Sequence, residues 1–443
     1  MPTPEAFTTM PTGLDYAQAY AEASRCLLCY DPPCSKACPG NTDPARFIRQ
    51  FRMRNVTGAI RTIKQNNILG GSCGHLCPTA ELCEAECSAS GLDRPIRIGA
   101  IQRFLVEHSW KIGFKPLQPA APREERVACL GSGPASLSCA ATLAREGVRV
   151  TVFERYDKAG GALRFGVPAS RFSDAFLDRE LEDLRDLGVE FRFNSPVEGA
   201  AAAESLLKDG YDAVFLAPGC WTSLHIGDSA ESMEGLTRAM TFLPELRQGH
   251  YDDWKARIAD RSVAVIGGGS VAMDCVMAAI QLGAKDVYLV YRRSYTQMPA
   301  EEKERLETLR AGCHYVLLNQ PVGYERGPKG ALTGVRLQRT RLGDADDSGR
   351  RRPEPIDGSD WVLACDLCIE AIGQRPVDET AATYPSVQQH GGLVVADPDT
   401  GKTSVDGIYA GGDVVRGPSL IINAIRDGKV AARAIMRQLG GRA

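Results

Sequence analysis

The residues with the most distinctive chemistry are cysteines near the start of the chain. Eight of its fifteen cysteines lie between Cys26 and Cys87. They form two quartets, spaced Cys26-x2-Cys29-x4-Cys34-x3-Cys38-Pro39 and Cys73-x3-Cys77-Pro78-x4-Cys83-x3-Cys87. Closely spaced thiolates on turns suit an iron–sulfur cluster, which takes four soft ligands. Two quartets therefore predict two clusters.

Other uses of these cysteines remain open on the spacing alone. The first quartet is followed by Pro39 and resembles the bacterial ferredoxin run, whose fourth cysteine binds the other cluster of a pair. Four-cysteine zinc sites also use short spacings. His75 is the one histidine within this field, so a mixed cysteine–histidine zinc site is poorly supplied. A disulfide framework is the third alternative.

The bulk composition narrows the class of protein. The chain has 443 residues, enough for about three domains, with 44% hydrophobic and 24% charged residues. A net charge of −3 favours neither nucleic acid nor a polyanionic surface as a partner. No signal peptide precedes Arg25, and no apolar run approaches the roughly 18 residues of a membrane span. Fifteen cysteines without a secretory signal indicate a reducing compartment, so we expect a cytoplasmic protein.

Helices are expected to position the cysteine quartets. Helical apolar spacing runs through residues 14–28, 43–64 and 96–110. Asp43 stands where an N-cap of the second stretch would be. No strand-like alternation of any length precedes about residue 126. The pattern predicts an all-helical domain over 1–115 whose loops carry the cysteines, followed by a proline-rich, charged linker at 114–125.

A first nucleotide-binding motif lies at 127–154. A short apolar strand runs into Gly131-x-Gly133-x-x-Ser136, a helical pattern follows, and a second strand ends in Glu154. The first glycine allows the tight turn, the second lets the backbone approach a pyrophosphate, and a small residue suits the helix–strand contact. The helix N-terminus then faces the phosphates, and the acid can bind ribose hydroxyls. The alternative is a structural turn without a ligand.

A second motif of the same kind lies at 262–293. Strand, GGGSVA (267–272), helix and strand follow one another, and the last strand ends in Arg292 and Arg293 instead of an acid. Arginine at this place can bind a 2′-phosphate, which favours NADP, whereas the alternative is a solvated basic strand end. Two nucleotide motifs in one chain indicate a flavin enzyme supplied by a nicotinamide, with the chemistry carried by the cofactors.

The nucleotide motifs and the cysteine field together resemble the glutamate synthase small-subunit superfamily. The resemblance is closer to the N-terminal half of dihydropyrimidine dehydrogenase, which in bacteria is a separate flavin and iron–sulfur subunit of the PreT type. It covers almost the whole chain, from about Arg25 to Ala432. The segments that carry it are RCLLCYDPPCSKACP (25–39), GSCGHLCPTAELCEAEC (71–87), IRIGAIQRF (96–104), GSGPAS (131–136), GGALRFGVPASR (160–171), GGGSVAMD (267–274) and AGGDV (410–414).

The resemblance implies a particular set of cluster ligands. The x4 spacing from Cys29 to Cys34 and the glutamine of IGAIQ match the dihydropyrimidine branch, in which a glutamine is the fourth ligand of one cluster. One cluster is then implied on Cys26, Cys29, Cys34 and Cys87, and the other on Cys38, Cys77, Cys83 and Gln102. Cys73 is left over. From the residues alone, Cys73 would be a ligand and Gln102 a surface glutamine of the 96–110 helix.

The resemblance also implies where both nucleotides bind. It places FAD on Leu76, Ser132, Gly133, Pro134, Ala135, Ser136, Glu154, Gly160, Gly161, Ala162, Arg171, Asp413, Ser419, Leu420 and Ile421. It places the pyridine nucleotide on Gly268, Gly269, Ser270, Val271, Arg292, Arg293 and Gly373. The NADP-using relatives carry a further arginine just past the basic pair, and residues 294–303 contain none. We therefore expect NADH, with NADPH as the alternative.

Several features expected of other enzymes are missing from the sequence. No redox cysteine pair follows GGAL (160–163), as a dithiol reductase would need. Cys365 and Cys368 form a C-x-x-C, but inside an apolar, strand-like run, so we expect them to be buried core residues. The stretch after the helical domain is filled by the two nucleotide motifs, which leaves no room for an FMN barrel. A substrate is therefore expected to be handled by another protein.

The predicted fold class is α/β, with an N-terminal all-helical iron–sulfur domain and two Rossmann-like domains, one inserted in the other. The predicted limits are 1–115 for the helical domain, 126–258 and 374–443 for the FAD domain, and 259–373 for the NAD(P) domain.

The resemblance implies an electron-transfer subunit that oxidises NAD(P)H and passes electrons through FAD and two 4Fe-4S clusters to a partner. That partner would carry FMN and iron–sulfur clusters on a dihydroorotate dehydrogenase-like barrel, form a hetero-oligomer with this chain, and reduce uracil or thymine to dihydropyrimidines. No side chain is predicted to act as acid or base in the hydride step.

Two other functions are considered. The first is a glutamate synthase small subunit or a related NAD(P)H:ferredoxin-type reductase; Gln102 and the x4 spacing disfavour the glutamate branch. The second is a non-enzymatic, zinc-scaffolded protein that senses NAD(P)H.

Overall fold

Two compact units make up the chain in the computed structural model, which describes residues 10–197, 201–226, 233–346, 349–375 and 384–440. We call them the N-terminal unit and the insert unit. The described residues of Pro11–Arg164, Phe172–Cys220 and Pro376–Ala443 form the N-terminal unit. Those of Phe165–Arg171 and Trp221–Arg375 form the insert unit.

Helices and strands alternate after an all-helical start. The α-helices are α1 (Tyr16–Ser24), α2 (Pro33–Lys36), α3 (Pro44–Arg52), α4 (Val56–Asn66), α5 (Gly70–Leu76), α6 (Ile98–Lys111), α7 (Pro134–Arg145), α8 (Ala162–Phe165), α9 (Asp174–Asp186), α10 (Ala202–Lys208), α11 (Ala239–Arg247), α12 (Tyr251–Ile258), α13 (Ser270–Gln281), α14 (Glu302–Arg310), α15 (Asp413–Arg416) and α16 (Ile421–Gly440). The strands are β1 (Arg126–Leu130), β2 (Arg149–Phe153), β3 (Glu190–Arg192), β4 (Ala213–Leu216), β5 (Thr222–Ser223), β6 (Leu236–Arg238), β7 (Ser262–Ile266), β8 (Asp286–Tyr291), β9 (His314–Leu317), β10 (Asn319–Arg326), β11 (Leu332–Ala345), β12 (Arg351–Pro355), β13 (Trp361–Ala364), β14 (Leu367–Glu370), β15 (Gln374–Arg375), β16 (Gln389–His390), β17 (Leu393–Val394) and β18 (Ile408–Ala410).

Helices α1 to α6 pack around one hydrophobic core at the start of the N-terminal unit. Phe47 and Ile63 are fully buried in it, and Tyr16 meets the rings of Phe51 and Phe104 edge-on. Short 3-10 turns follow α5, and no strand occurs within residues 10–125, which the structure describes throughout. The prediction of an all-helical start is confirmed.

One predicted helical stretch, 43–64, is in fact two helices. Asp43 caps α3 as expected, because its side chain accepts a hydrogen bond from the Arg46 amide. The helix ends at Arg52, and Arg54 then takes a left-handed backbone conformation with φ of 63°. Asn55 caps the next helix by accepting from the Gly58 amide at 2.9 Å. Apolar spacing alone did not reveal this break.

The N-terminal unit continues with a parallel sheet in the order β18-β4-β1-β2-β3. Strands β18, β4, β1 and β2 are almost entirely buried, as expected for a parallel sheet covered on both faces, whereas the edge strand β3 is largely exposed. Helix α7 leaves the end of β1, and α16 packs along α7. A Cβ added at Gly428 would lie 2.1 Å from the Ala135 carbonyl oxygen, so the two helices touch at this glycine.

The insert unit contains a second parallel sheet, in the order β6-β14-β7-β8-β9. Its core is built around Phe242 and Trp254, whose rings meet edge-on at 4.8 Å. The same unit carries a four-stranded antiparallel sheet in which β11 pairs with β10, β12 and β13. No pattern in the sequence predicted this sheet.

The units and the predicted domain limits divide the chain at different places. The predicted first part of the FAD domain runs to residue 258, whereas β6, α11 and α12 belong to the insert unit, where β6 pairs with β14. The α/β class with an N-terminal helical domain is confirmed. Of the helices in the described ranges, none has the length and apolar character needed to cross a bilayer.

Candidate functional site: two cysteine groups and two nucleotide motifs

Four cysteines line one pocket in the helical part of the N-terminal unit. Cys26 and Cys29 come from the turn after α1, Cys34 comes from α2, and Cys87 precedes a short 3-10 turn. They are the four that the resemblance assigns to one cluster. The structure therefore brings together residues that lie up to 61 positions apart in the sequence.

Burial raises the pKa of two thiols of this pocket, those of Cys26 and Cys34. Burial, followed by the charges of Cys87 and Cys26, raises the pKa of Cys34 to about 11. The Ile96 amide donates to the Cys87 sulfur at 3.4 Å. Metal binding requires deprotonated thiols, and the positive charge of the metal supplies the compensation that the protein lacks here. Four sulfur donors whose negative charges repel one another fit an iron–sulfur cluster.

The remaining cysteines of the field meet around α5. A hydrogen bond with Cys73 and burial raise the pKa of Cys77, and the charges of Cys38 and Cys83 add to the increase. The Thr42 amide donates to the Cys38 sulfur at 3.5 Å. The Thr42 hydroxyl is buried and has no hydrogen-bond partner in the described ranges. An unsatisfied donor beside these sulfurs fits a bound group with acceptor atoms, such as a cluster.

Gln102 is buried in α6, with 6% of its surface exposed, so the expectation of a surface glutamine is wrong. Its side-chain nitrogen donates to the Gly70 carbonyl at 2.6 Å, which leaves the carboxamide oxygen as the atom able to ligate a metal. Cys73 is 3% exposed and lies on the helix that Gln102 contacts. Both candidates for the eighth ligand are therefore interior residues. In the described residues, no three histidine, cysteine or acidic side chains converge as a single-ion site.

The first glycine motif forms a small cradle at the start of α7. Gly131 has φ of 86°, and a Cβ there would lie 2.6 Å from the Ala217 carbonyl oxygen. A Cβ at Gly133 would face open space. The Ser136 hydroxyl is buried without a hydrogen-bond partner in the parts of the chain that the structure describes. An open backbone approach beside an unsatisfied hydroxyl fits a pyrophosphate.

Glu154 closes the other side of this cradle from the end of β2. Its Oε2 accepts from the Ser132 amide at 3.0 Å and from the Ser132 hydroxyl. That hydroxyl in turn accepts from the Gly160 amide at 3.0 Å. A Cβ at Gly161 would lie 2.7 Å from the Gly133 Cα, so the GGA segment containing Ala162 sits directly against the motif.

Asp413, at the start of α15, is the buried acid of the C-terminal segment. Burial raises its pKa to about 6, although hydrogen bonds from Ser419 oppose the increase. Its Oδ1 accepts from the Ser419 amide at 3.2 Å and the Ser419 hydroxyl at 3.3 Å. Leu420 follows, and Ile421 begins α16. Leu76 ends α5 in the same unit.

Arg171, which is predicted to bind FAD, belongs to the insert unit. Its guanidinium contacts both carboxylate oxygens of Asp274 at 3.1 Å and Glu304 at 2.5 Å. Burial raises the pKa of Asp274 to about 6 even though Arg171 opposes the change. The structure thus places Arg171 with the second glycine motif.

The second glycine motif repeats the form of the first at the start of α13. A Cβ at Gly268 would strike the Tyr291 ring at 2.5 Å, whereas one at Gly269 would have its nearest neighbour 3.8 Å away. Ser270 donates to Glu304 at 2.7 Å, and Val271 follows it in the helix. Gly373 has φ of 126° and accepts from the Leu224 amide at 3.0 Å.

The two arginines that follow β8 differ in their surroundings. Arg293 is 5% exposed, pairs with Asp346 at 2.7 Å, and donates from Nε to the Arg351 carbonyl at 2.8 Å. Arg292 is exposed, and no acidic side chain of the described ranges pairs with it. Of the predicted pair, Arg292 is the one placed to meet a nucleotide phosphate.

Sequence reasoning missed the charged residues that hold the cysteine-bearing helix α5. Glu180 is fully buried in α9 and accepts from the Gly71 amide at 2.7 Å and the Ser72 amide at 3.0 Å. Lys64 pairs with Glu180 at 3.3 Å and with Asp183 at 2.8 Å. No sequence motif spans the 109 positions between Gly71 and Glu180, so no local signal could have found this contact.

Two family descriptions match the chain. Residues 3–114 match the family described as dihydropyrimidine dehydrogenase domain II, 4Fe-4S cluster. Residues 125–428 match the family described as pyridine nucleotide-disulphide oxidoreductase. The second match alone covers more than half of the chain.

Curated relatives match nearly the whole length of the chain. The NADPH glutamate synthase small chain of Escherichia coli (strain K12) is 34% identical over 95% of this chain and 92% of its own length. The NAD-dependent dihydropyrimidine dehydrogenase subunit PreT of Salmonella typhimurium is also 34% identical, over 99% of this chain and 98% of its own. The oxidoreductase AegA of Escherichia coli (strain K12) is 35% identical over 96% of this chain, which spans 66% of that relative's length.

A solved structure shows the fold of the nucleotide-binding part. FprA of Mycobacterium tuberculosis in complex with NADPH has a TM-score of 0.57 and 19% identity, over 72% of this chain and 85% of that chain.

Proposed function

The chain belongs to the pyridine nucleotide-disulphide oxidoreductase family, and we propose that it is the NAD(P)H-oxidising subunit of an enzyme with a second, substrate-bearing protein. The family makes it an NAD(P)H-dependent oxidoreductase, and its N-terminal segment belongs to a 4Fe-4S domain family. The bound groups supply the chemistry: hydride exchange by the nicotinamide and FAD, and single-electron transfer by two 4Fe-4S clusters. The residues of the chain hold and orient these groups.

One contact carries the proposal: helix α16 touches both the flavin motif and a cysteine loop. Gly428 meets the Ala135 carbonyl at the start of α7. On the same helix, Ile422 packs against Gly40, where an added Cβ would lie 2.4 Å from its Cδ1. Gly40 follows Cys38 by two positions. Residues proposed for FAD and for a cluster are therefore fixed against one rigid element, as electron transfer between them requires.

We assign the groups to the residues predicted for them. One cluster is assigned to Cys26, Cys29, Cys34 and Cys87, and the other to Cys38, Cys77, Cys83 and Gln102. FAD is assigned to the cradle of Ser132 to Ser136 with Glu154 and Asp413. The nicotinamide nucleotide is assigned to Gly268 to Val271 with Arg292.

The finer part of the proposal is the acceptor. We assign it to an FMN subunit that reduces uracil or thymine, because the PreT relative matches this chain from end to end and the buried Gln102 suits that branch. The second candidate is the glutamate synthase small chain, which has the same 34% identity. None of the fifteen cysteines forms a disulfide, which suits a reducing compartment.

The test is an anaerobic purification of the full chain, followed by metal analysis and nucleotide titration. We expect about eight irons per flavin and no stoichiometric zinc, consistent with two four-iron clusters. NADH should bleach the flavin absorbance. Zinc in place of iron, or a flavin that neither NADH nor NADPH reduces, would overturn the proposed function.

A further inference from the structure

Lys429 is a buried cation on α16 that forms no ion pair with an acidic side chain of the described residues. The residue is 9% exposed, and its ammonium donates to the carbonyl oxygens of Gly40 and Asn66, each at 2.7 Å. Two carbonyl groups satisfy hydrogen bonds but do not neutralise the charge, and a buried charge without compensation is costly.

Cysteine thiolates act on the charge of Lys429. Burial, reinforced by Arg433 and Arg145, lowers the pKa of Lys429 to about 8, and thiolates at Cys38 and Cys73 oppose that decrease. The charge balance of this interior site is therefore incomplete unless the sulfurs are ionised. A cluster bound by thiolates keeps them ionised and supplies the missing negative charge.

We propose that Lys429 is the electrostatic partner of the cluster held by Cys38, Cys77, Cys83 and Gln102. The inference rests on the proposed function, since it requires that these residues hold a cluster. A fixed positive charge beside a cluster favours its reduced form, which carries one more negative charge, and so raises its reduction potential. Lys429 also positions the cluster, because its two carbonyl contacts tie the Gly40 loop and the end of α4 to α16.

The packing of α16 accounts for the placement of Lys429. Gly428 lies against Ala135 so closely that no side chain fits, which brings α16 directly onto the helix of the flavin motif. The next residue, Lys429, reaches the Gly40 loop behind Cys38. Lys429 therefore stands between the elements proposed to hold FAD and those proposed to hold this cluster, where a change in potential bears directly on electron transfer.

The test compares Lys429→Met with Lys429→Arg in the full chain, by potentiometric titration of the cluster signals in electron paramagnetic resonance. In the Met variant we expect one cluster to shift to lower potential while the other keeps its wild-type value. The Arg variant should retain both potentials. Arg437→Met is the matched control: this arginine is exposed two turns further along α16, so solvent screens its charge and both potentials should stay unchanged.

Unchanged potentials in a Met variant with full iron content would overturn the inference. If that variant loses iron, Lys429→Gln carries the test, because a carboxamide keeps donors for the carbonyls without the charge. Loss of iron from both neutral variants but not from the Arg variant supports the inference, whereas loss from all three overturns it. A wild-type chain without two iron–sulfur signals would instead refute the proposed function.

Discussion

At the scale of single residues, the arginines after β8 predict the nucleotide preference. Asp346 and the Arg351 carbonyl hold Arg293, which leaves Arg292 as the exposed guanidinium for a 2′-phosphate. We nevertheless expect NADH to reduce the flavin at lower concentrations than NADPH does, because residues 294–303 lack the further arginine of the NADP-using relatives. Arg292→Ala should weaken NADPH by about 10–100-fold, since a hydrogen bond to a charged group is worth about 1.5–3 kcal/mol. Anaerobic titration of the flavin absorbance measures both nucleotides.

Arg293→Ala is the matched variant for this prediction. It removes the partner of Asp346 inside the insert unit, so any loss of affinity should be similar for NADH and NADPH. A loss confined to NADPH would contradict our assignment, because it would mean that Asp346 releases Arg293 when the nucleotide binds.

The burial of a residue could be predicted where the sequence signal was local, and not where burial depended on the fold. Cys365 and Cys368 are 5% and 0% exposed, as their apolar surroundings predicted. Gln102 reads as a surface residue in its helix, yet the contact of α5 with α6 buries it. Lys429 and Gly40 are brought together across 389 positions, a distance that no spacing rule covers.

At the scale of elements, α5 depends on a carboxylate from another helix. Glu180 binds the amides of Gly71 and Ser72 and the ammonium of Lys64. Removing one partner of a buried ion pair costs about 3–5 kcal/mol. Glu180→Ala should therefore lower the temperature at which the cluster absorbance is lost by several degrees, and Glu180→Gln should lower it less, because its oxygen still accepts one amide hydrogen.

Glu182→Ala provides the comparison on the same helix. Glu182 pairs with Arg179 at 2.9 Å, but both side chains are about half exposed, and such pairs contribute about 0–1 kcal/mol. The melting temperature of the Glu182→Ala variant should match that of the wild-type chain. If the Glu180→Ala and wild-type chains lose the cluster absorbance at the same temperature, α5 does not need the Glu180 carboxylate.

Elements were predictable from the sequence when a short motif specified them. Helix α7 begins directly after Gly133, and helix α13 begins directly after Gly269. Each could be predicted because the strand, turn and helix are encoded within a few residues. The break between α3 and α4 depends on the left-handed Arg54, which apolar spacing does not register. The sheet of β10 to β13 escaped prediction because its charged, half-exposed strands lack a continuous apolar run.

At the scale of the whole molecule, the two units divide the predicted binding residues between them. The N-terminal unit holds the cysteine groups and the first glycine motif, and the insert unit holds the second motif. The relatives that are a small chain and a subunit indicate a further subunit, and we propose that it receives the electrons from NAD(P)H. We expect electrons to leave near the pocket lined by Cys26, Cys29, Cys34 and Cys87, because Leu27 and Tyr30 beside it are exposed, at 46% and 102%.

Reconstitution with a partner tests this exit together with the choice of acceptor. We expect uracil-dependent oxidation of NADH when the chain is mixed with an FMN subunit of the dihydropyrimidine dehydrogenase type. Glutamate formation with a glutamate synthase large chain, and no reaction with the FMN subunit, would assign the chain to the second candidate.

In a Cys29→Ser variant, NADH should still reduce the flavin, because the glycine cradle is untouched, while turnover with the partner is lost. Full turnover in that variant would show that electrons leave by a route that does not use this pocket.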